Sequence, residues 1–200
     1  MRVTLMSLVA SMVLACPCAA EEAAAPAADL SRLDALTAQY AKQYRDKLYT
    51  EATASAKEAL AAAESALGPE DARVAQVLND LGHLYEMQRD LVRAEPVHER
   101  ALRIREKLFN SEGPAVVQSL QHLASVYTGQ GRHAQAQAAY ERTLAIMERT
   151  VSPNSPSLLV VLQSYEAALR ANGQADLAES MRARIFAIKA NNQQLQQHPQ

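Results

Sequence analysis

The chain repeats itself every 42 residues, and a period of that length leaves few folds open. Leu36, Leu78, Leu120 and Leu162 fall in one column, and Ala52, Ala94, Ala136 and Ala178 in a second. Leu60, Leu102, Leu144 and Phe186 make a third, while Ile104, Ile146 and Ile188 make a fourth. Tyr85 and Tyr127 share a fifth, which ends in Leu169. Inside each copy the apolar positions recur at helical spacing. In the second copy Val74, Val77, Leu78, Leu81 and Tyr85 form one stripe, and Leu91, Ala94, Ala101, Leu102, Ile104 and Leu108 form another. Short polar joints separate the stripes: Gln88-Arg89-Asp90, then Gly129-Gln130-Gly131, then Asn172-Gly173. Each unit therefore predicts a helix, a tight turn and a second helix. A lone pair of this kind cannot bury both stripes, but stacked pairs can. The expected fold is all-α, an α-solenoid of about four antiparallel helix pairs over 29–70, 71–112, 113–154 and 155–190.

Start signals follow the same period. Asp29, Asp71, Gly113 and Ser155 share a column of acceptable N-caps. Leu30, Ala72, Pro114 and Pro156 follow them, and proline suits the first helical position because its missing N–H would be unpaired there. Pro96 falls a turn and a half into a second helix, where it should bend the start without ending it. Composition agrees with helices: aromatic residues are only 4% of the chain, and alanine is abundant. A net charge of −2 argues against nucleic acid as a partner. Both cysteines, Cys16 and Cys18, precede the repeats, which leaves no disulfide framework and no cysteine metal site within them.

The first twenty residues read as an address. Met1-Arg2 is a short positive start, and Val3 to Ala15 is uncharged and mostly apolar. That run is shorter than the roughly 20 residues a spanning helix needs, which favours a secretory signal. Two processing readings stand open. Cleavage after Ala20 would leave Glu21 at the new N-terminus, whereas Val13-Leu14-Ala15-Cys16 resembles a lipobox in which Cys16 is lipidated. Residues 21–28 then read as a disordered leader, and residues 191–200, rich in amides, as a frayed tail.

The run LNDLGHLYEMQRDLVRAEPVHERALRIREKL resembles a tetratricopeptide repeat, in the 42-residue kinesin-light-chain type that is also widespread in bacterial proteins. Leu78, Leu81, Gly82, Tyr85, Ala94 and Ala101 carry the motif in the second unit. Leu120, Leu123, Ala124, Tyr127, Gly131, Ala136 and Tyr140 carry it in the third. Tyr40 and Glu166 replace the small residue of Gly82 and Ala124, so the outer units depart from the pattern and are expected to act as caps. The resemblance covers 29–190. It implies a right-handed superhelix whose concave face, lined by the first helix of each pair, binds a protein or peptide. On that register the groove residues are Gln76, Asn79, Asp80, His83, Gln118, Gln121, His122, Ser125, Gln163 and Ser164. Their amides can donate and accept together, so a ladder of them could hold an extended backbone.

Catalytic signatures are scarce. No GxxxxGK[ST] loop and no GxSxG elbow occurs. His98-Glu99 begins an HExxH, but Leu102 stands where the second histidine would be. His98 therefore reads as a partly covered side chain on a second helix. No catalytic, cofactor-binding or metal-binding residue is expected. His83 and His122 fall on successive first helices, where they could form a pH-sensitive pair; a metal there would find only Asp80 as a further ligand. Arg93, Arg100, Arg103, Arg105 and Lys107 alternate with Glu95, Glu99 and Glu106, which reads as a solvated face laced by ion pairs such as Glu99 with Arg103. The expected function is a non-enzymatic, exported scaffold of the cell envelope, periplasmic, secreted or lipid-anchored through Cys16. The alternative is an envelope enzyme or small-ligand binder with a site not visible in the motifs.

Overall fold

The computed structural model describes residues 17–109 and 111–197, with side chains described over 29–109 and 111–194. Cys16, the expected lipidation site, lies outside the described residues. Among the described residues there are eight helices and no strand. They are α1 (Pro17–Arg45), α2 (Tyr49–Leu67), α3 (Ala72–Met87), α4 (Leu91–Leu108), α5 (Pro114–Gly129), α6 (His133–Thr150), α7 (Leu158–Ala171) and α8 (Ala175–Gln197). Each helix packs on the next in sequence, α3 also touches α5, and α5 touches α7. The first helices of successive pairs thus line up along one face.

The repeat columns form the core. Ala52, Ala94, Ala136 and Ala178 are all essentially inaccessible, and small residues there let the two helices of a pair close on each other. Leu36, Leu78, Leu120 and Leu162 are likewise buried. Phe186 departs from its column: it is exposed at the outer surface of α8.

The joints repeat more strictly than the composition suggests. Lys47, Arg89, Gly131 and Gly173 all have positive φ, at 61°, 61°, 72° and 72°. Around each, two backbone bonds close the helix end in the Schellman pattern. At the second joint Arg89 N donates to Glu86 O (3.0 Å) and Asp90 N to Tyr85 O (2.9 Å). At the third, Gly131 N donates to Thr128 O (3.1 Å) and Arg132 N to Tyr127 O (2.8 Å). Gln88 and Gln130 then tie their joints to the preceding pair, donating to Tyr49 O and Leu91 O respectively, both at 3.1 Å.

Helix starts follow the expected column in part. Asp71 caps α3, accepting from Arg73 N (2.7 Å), and Gly113 precedes Pro114 at the start of α5. Asp29 instead lies inside α1, whose helical backbone runs back through 21–28 to Pro17. α8 likewise continues to Gln197, past the expected boundary at 190. α7 begins at Leu158, because Pro156 sits in a turn whose carbonyl accepts from Leu159 N (3.0 Å). α4 continues through Pro96, as expected of a proline near a helix start.

Candidate functional site

The inner face of α3 presents Gln76, Asp80, His83 and Glu86 at spacings of four, three and three, which puts them in one stripe. That stripe meets side chains from α1, α4 and α5 and forms two polar networks.

The first centres on Arg105 of α4, which is buried. Its guanidinium donates to Gln76 Oε1 (2.9 Å), Ser119 Oγ (2.8 Å), Ala115 O (3.0 Å) and Asn79 Oδ1 (3.4 Å). All four acceptors are neutral, and the nearby charge is Asp80. Asp80 accepts from Tyr40 Oη (2.8 Å) and Gln76 Nε2 (2.8 Å). Burial raises the Asp80 carboxyl above the usual carboxylate range, against the bonds from Tyr40 and Gln76 and the charge of Arg105. Burial lowers the Arg105 guanidinium, and Asp80 opposes this. Burial and the neighbouring Asp80 push the Tyr40 phenol well up.

The second network centres on Glu86. One of its oxygens lies 3.0 Å from His98 Nε2, 3.0 Å from His122 Nδ1 and 3.9 Å from His83 Nδ1. The Tyr44 hydroxyl sits 3.0 Å from His83 Nε2. The His98 and His122 rings stack at 4.8 Å with an interplanar angle of 6°, and the His83 ring is 5.5 Å from that of His122. Burial alone would raise the Glu86 carboxyl, but the hydrogen bonds from His122 and His98, with the His83 imidazole close by, outweigh it and hold the group far below its ordinary range. Glu86 is therefore a fixed negative charge at neutral pH. His98, wholly buried, is lowered by burial against the pull of Glu86, so it remains a neutral donor.

Of the ten groove residues expected from the register, nine lie at least partly open and one does not. Gln76, Gln118, Ser125, Gln163 and Ser164 are exposed, while Asp80, His83, Gln121 and His122 are half-buried. Asn79 is the exception, only 2% exposed, because Arg105 reaches over from α4 and covers it. The column Asn79, Gln121, Gln163 thus runs from core to surface and forms no continuous ladder. Arg105, placed on a solvated face by its charge pattern, is buried for the same reason. Its neighbours on that face do pair across units, Arg100 with Glu64, Lys107 with Glu70 and Arg142 with Glu106. Glu99 does not pair with Arg103 as expected, but accepts from Tyr127 Oη (3.3 Å).

His98 is also corrected, from a partly covered side chain to a core residue bonded to Glu86. Glu86 itself was missed, although its i,i+3 spacing from His83 was available in the sequence. Asp80, the ligand considered for the two histidines, is held by Tyr40 and Gln76; Glu86 is the carboxylate that joins them.

Two cavities flank this network. One of about 360 Å³ is lined by Tyr40, Ala41, Tyr44, Asp80 and His83 among others, between α1 and α3. The other, about 570 Å³, opens along the inner face and takes Glu86 from α3, Ser125 and Thr128 from α5, and Ser164 and Ala168 from α7. Among the described residues no helix is long and apolar enough to cross a membrane.

Stacked helix pairs with an open, polar inner groove define a helical-repeat scaffold. The chain belongs to the tetratricopeptide repeat family, whose model matches residues 34–107 and 115–190. Solved structures agree in fold. BtubC (BKLC) from P. vanneervenii superposes with a TM-score of 0.76 at 22% identity, over 84% of this chain and 66% of that one. Two structures of a putative kinesin light chain with nearly identical TPR-like repeats from Podosopora anserina give TM-scores of 0.74 and 0.72, each at 24% identity over 82% of this chain and 77% of that one. The chain thus spans just under two thirds of BtubC's length. No curated protein matches it.

Proposed function

We propose that the chain is a non-enzymatic scaffold of the cell envelope that holds a partner peptide or protein in its concave groove. The observation that carries this reading is the larger cavity, a trough crossing three successive first helices with hydroxyls from Ser125, Thr128 and Ser164 beside the carboxylate of Glu86. An open trough suits an extended segment, with hydroxyls to meet its backbone and the opposite charges of Glu86 and Arg89 to select its side chains. The envelope assignment is supported by the charged start, short apolar run and small residues of the first twenty positions. The lipid-anchored form would depend on Cys16.

The groove is tested by the double substitution Ser125→Arg with Ser164→Arg, which fills the trough from two exposed positions without touching the core. A partner recovered by pull-down and titrated by calorimetry should bind the double variant at least tenfold more weakly, and bind Arg103→Ala on the outer face unchanged. Normal affinity in the double variant would move the site off the groove. Export is tested by sequencing the mature N-terminus and by labelled palmitate with a Cys16→Ser control. A mature start at Glu21 without label gives the soluble form, a labelled start at Cys16 gives the anchored form, and an intact Met1 overturns export.

A further inference from the structure

We propose that His83, Glu86 and His122 form a binding site for a divalent transition-metal ion of the zinc class, where α3 faces α5 and contributes His83 to one cavity and Glu86 to the other. His83 Nδ1, His122 Nδ1 and the Glu86 carboxylate all lie within 4.8 Å of one another. Two ligands held at about 2.0–2.1 Å in tetrahedral geometry stand roughly 3.3 Å apart. The separations from Glu86 to His122 (3.0 Å) and to His83 (3.9 Å) bracket that value. Closing the cage takes about 0.6 Å of contraction between Glu86 and His83, about 0.3 Å of relaxation between Glu86 and His122, and an approach of the two imidazole nitrogens from within 4.8 Å.

The donor chemistry fits as well. Two neutral imidazoles and one carboxylate make a set that zinc accepts, with the fourth position left to water. His83 Nδ1 is buried and has no hydrogen-bond partner, and it faces the other two donors. Its other nitrogen lies 3.0 Å from the Tyr44 hydroxyl, which can accept from Nε2–H and so leave the lone pair of Nδ1 facing inward. His98 plays the supporting part on the other side: it holds Glu86 through Nε2 and stacks on the His122 ring, so both ligands are oriented before any ion arrives. His83 lines the smaller cavity and Glu86 the larger, which gives an ion access from the groove.

None of this is dictated by the repeat. The His83 column otherwise holds Ala41, Ser125 and Ala167, and the His122 column holds Ala38, Asp80 and Ser164. The three donors coincide only at the α3–α5 junction.

The test uses the full chain without a histidine tag. Calorimetric titration with zinc should give one ion per chain, and cobalt substitution should give the intense visible bands of a tetrahedral site. His122→Ser, which installs the residue the repeat carries at position 164, and Glu86→Gln should each weaken zinc binding at least tenfold with helical circular dichroism retained. Tyr44→Phe should weaken it about tenfold through loss of the supporting hydrogen bond. His133→Ala and His198→Ala should leave affinity and stoichiometry unchanged. Failure of the unmodified chain to bind zinc or cobalt at micromolar concentration overturns the site without recourse to any variant. Equal zinc affinity in His122→Ser, or loss of binding on His198→Ala, would place the ion elsewhere and overturn it too.

Discussion

The imidazole of His98 occupies the space where a side chain on Gly82 would lie. A Cβ built on Gly82 comes within 2.5 Å of His98 Cε1 and Nε2 and within 2.8 Å of Cδ2. The ring is pinned from its other side by stacking on His122 and through Nε2 by Glu86, so it has nowhere to retreat. Gly82→Ala should therefore cost about 1–3 kcal/mol as an overpacked contact, despite alanine's better helix propensity. Urea unfolding measures this, and an unchanged or raised midpoint would mean that the ring moves freely.

Arg105 is the second point of leverage. Its guanidinium serves Gln76, Asn79, Ser119 and the Ala115 carbonyl from a buried position. Arg105→Ala strands those acceptors and leaves Asp80 without its nearby positive charge. The expected loss is about 1–3 kcal/mol, the cost of leaving buried neutral acceptors such as Asn79 and Ser119 unpaired. A destabilisation under about 1 kcal/mol by thermal or urea unfolding would show that water replaces the guanidinium at no cost.

Asp80 should give a distinct pH signature. Burial raises its carboxyl above the ordinary value of 3.8, so the folded state holds the proton more tightly than the unfolded one. Its contribution is complete below that value and is lost as pH rises through the raised folded value. Asp80→Asn removes the titration while keeping an acceptor oxygen for Tyr40. Across pH 4 to 8 the variant should gain stability relative to the unmodified chain as pH rises, read as a widening difference in urea midpoints. A difference that stays flat or narrows with rising pH contradicts the assignment.

The fold was legible in the columns because a column of identical apolar residues has one physical cause, the same contact made four times. Leu78, Leu120 and Ala136 were read correctly on that ground, and their burial follows. The site was much less legible because it is built from residues that break the columns. Glu86 shares its position with Tyr44, Thr128 and Arg170, and His98 with Ala56, Tyr140 and Arg182, so periodicity carries no signal for either. Asn79 and Arg105 failed for a related reason. Periodicity on α3 alone leaves Asn79 at the edge of the apolar stripe, and only the arrival of a long side chain from α4 decides that it is covered. A charge run reads as solvated when neutral acceptors on neighbouring helices are out of sight, and for Arg105 those acceptors come from α3 and α5.

The joints allow a backbone effect to be isolated from packing. Lys47, Arg89, Gly131 and Gly173 hold one column and one left-handed conformation, yet only two of the four are glycine. A side chain in that region costs on the order of 1–2 kcal/mol, while glycine spends part of that advantage on its larger unfolded-state freedom. A Cβ added at Gly131 would meet nothing within 4 Å, so whatever Gly131→Ala loses must come from φ alone. The expected loss is about 1 kcal/mol. Arg89→Gly makes the opposite change at the equivalent position, where the side chain is exposed, and should gain up to about 1 kcal/mol. The two Schellman bonds survive both changes, since they use backbone atoms only. Urea midpoints of the two variants should therefore move in opposite directions around the unmodified chain. Movement in the same direction would mean that Arg89 earns its place through its side chain, and that the conserved geometry of the joint does not govern its stability.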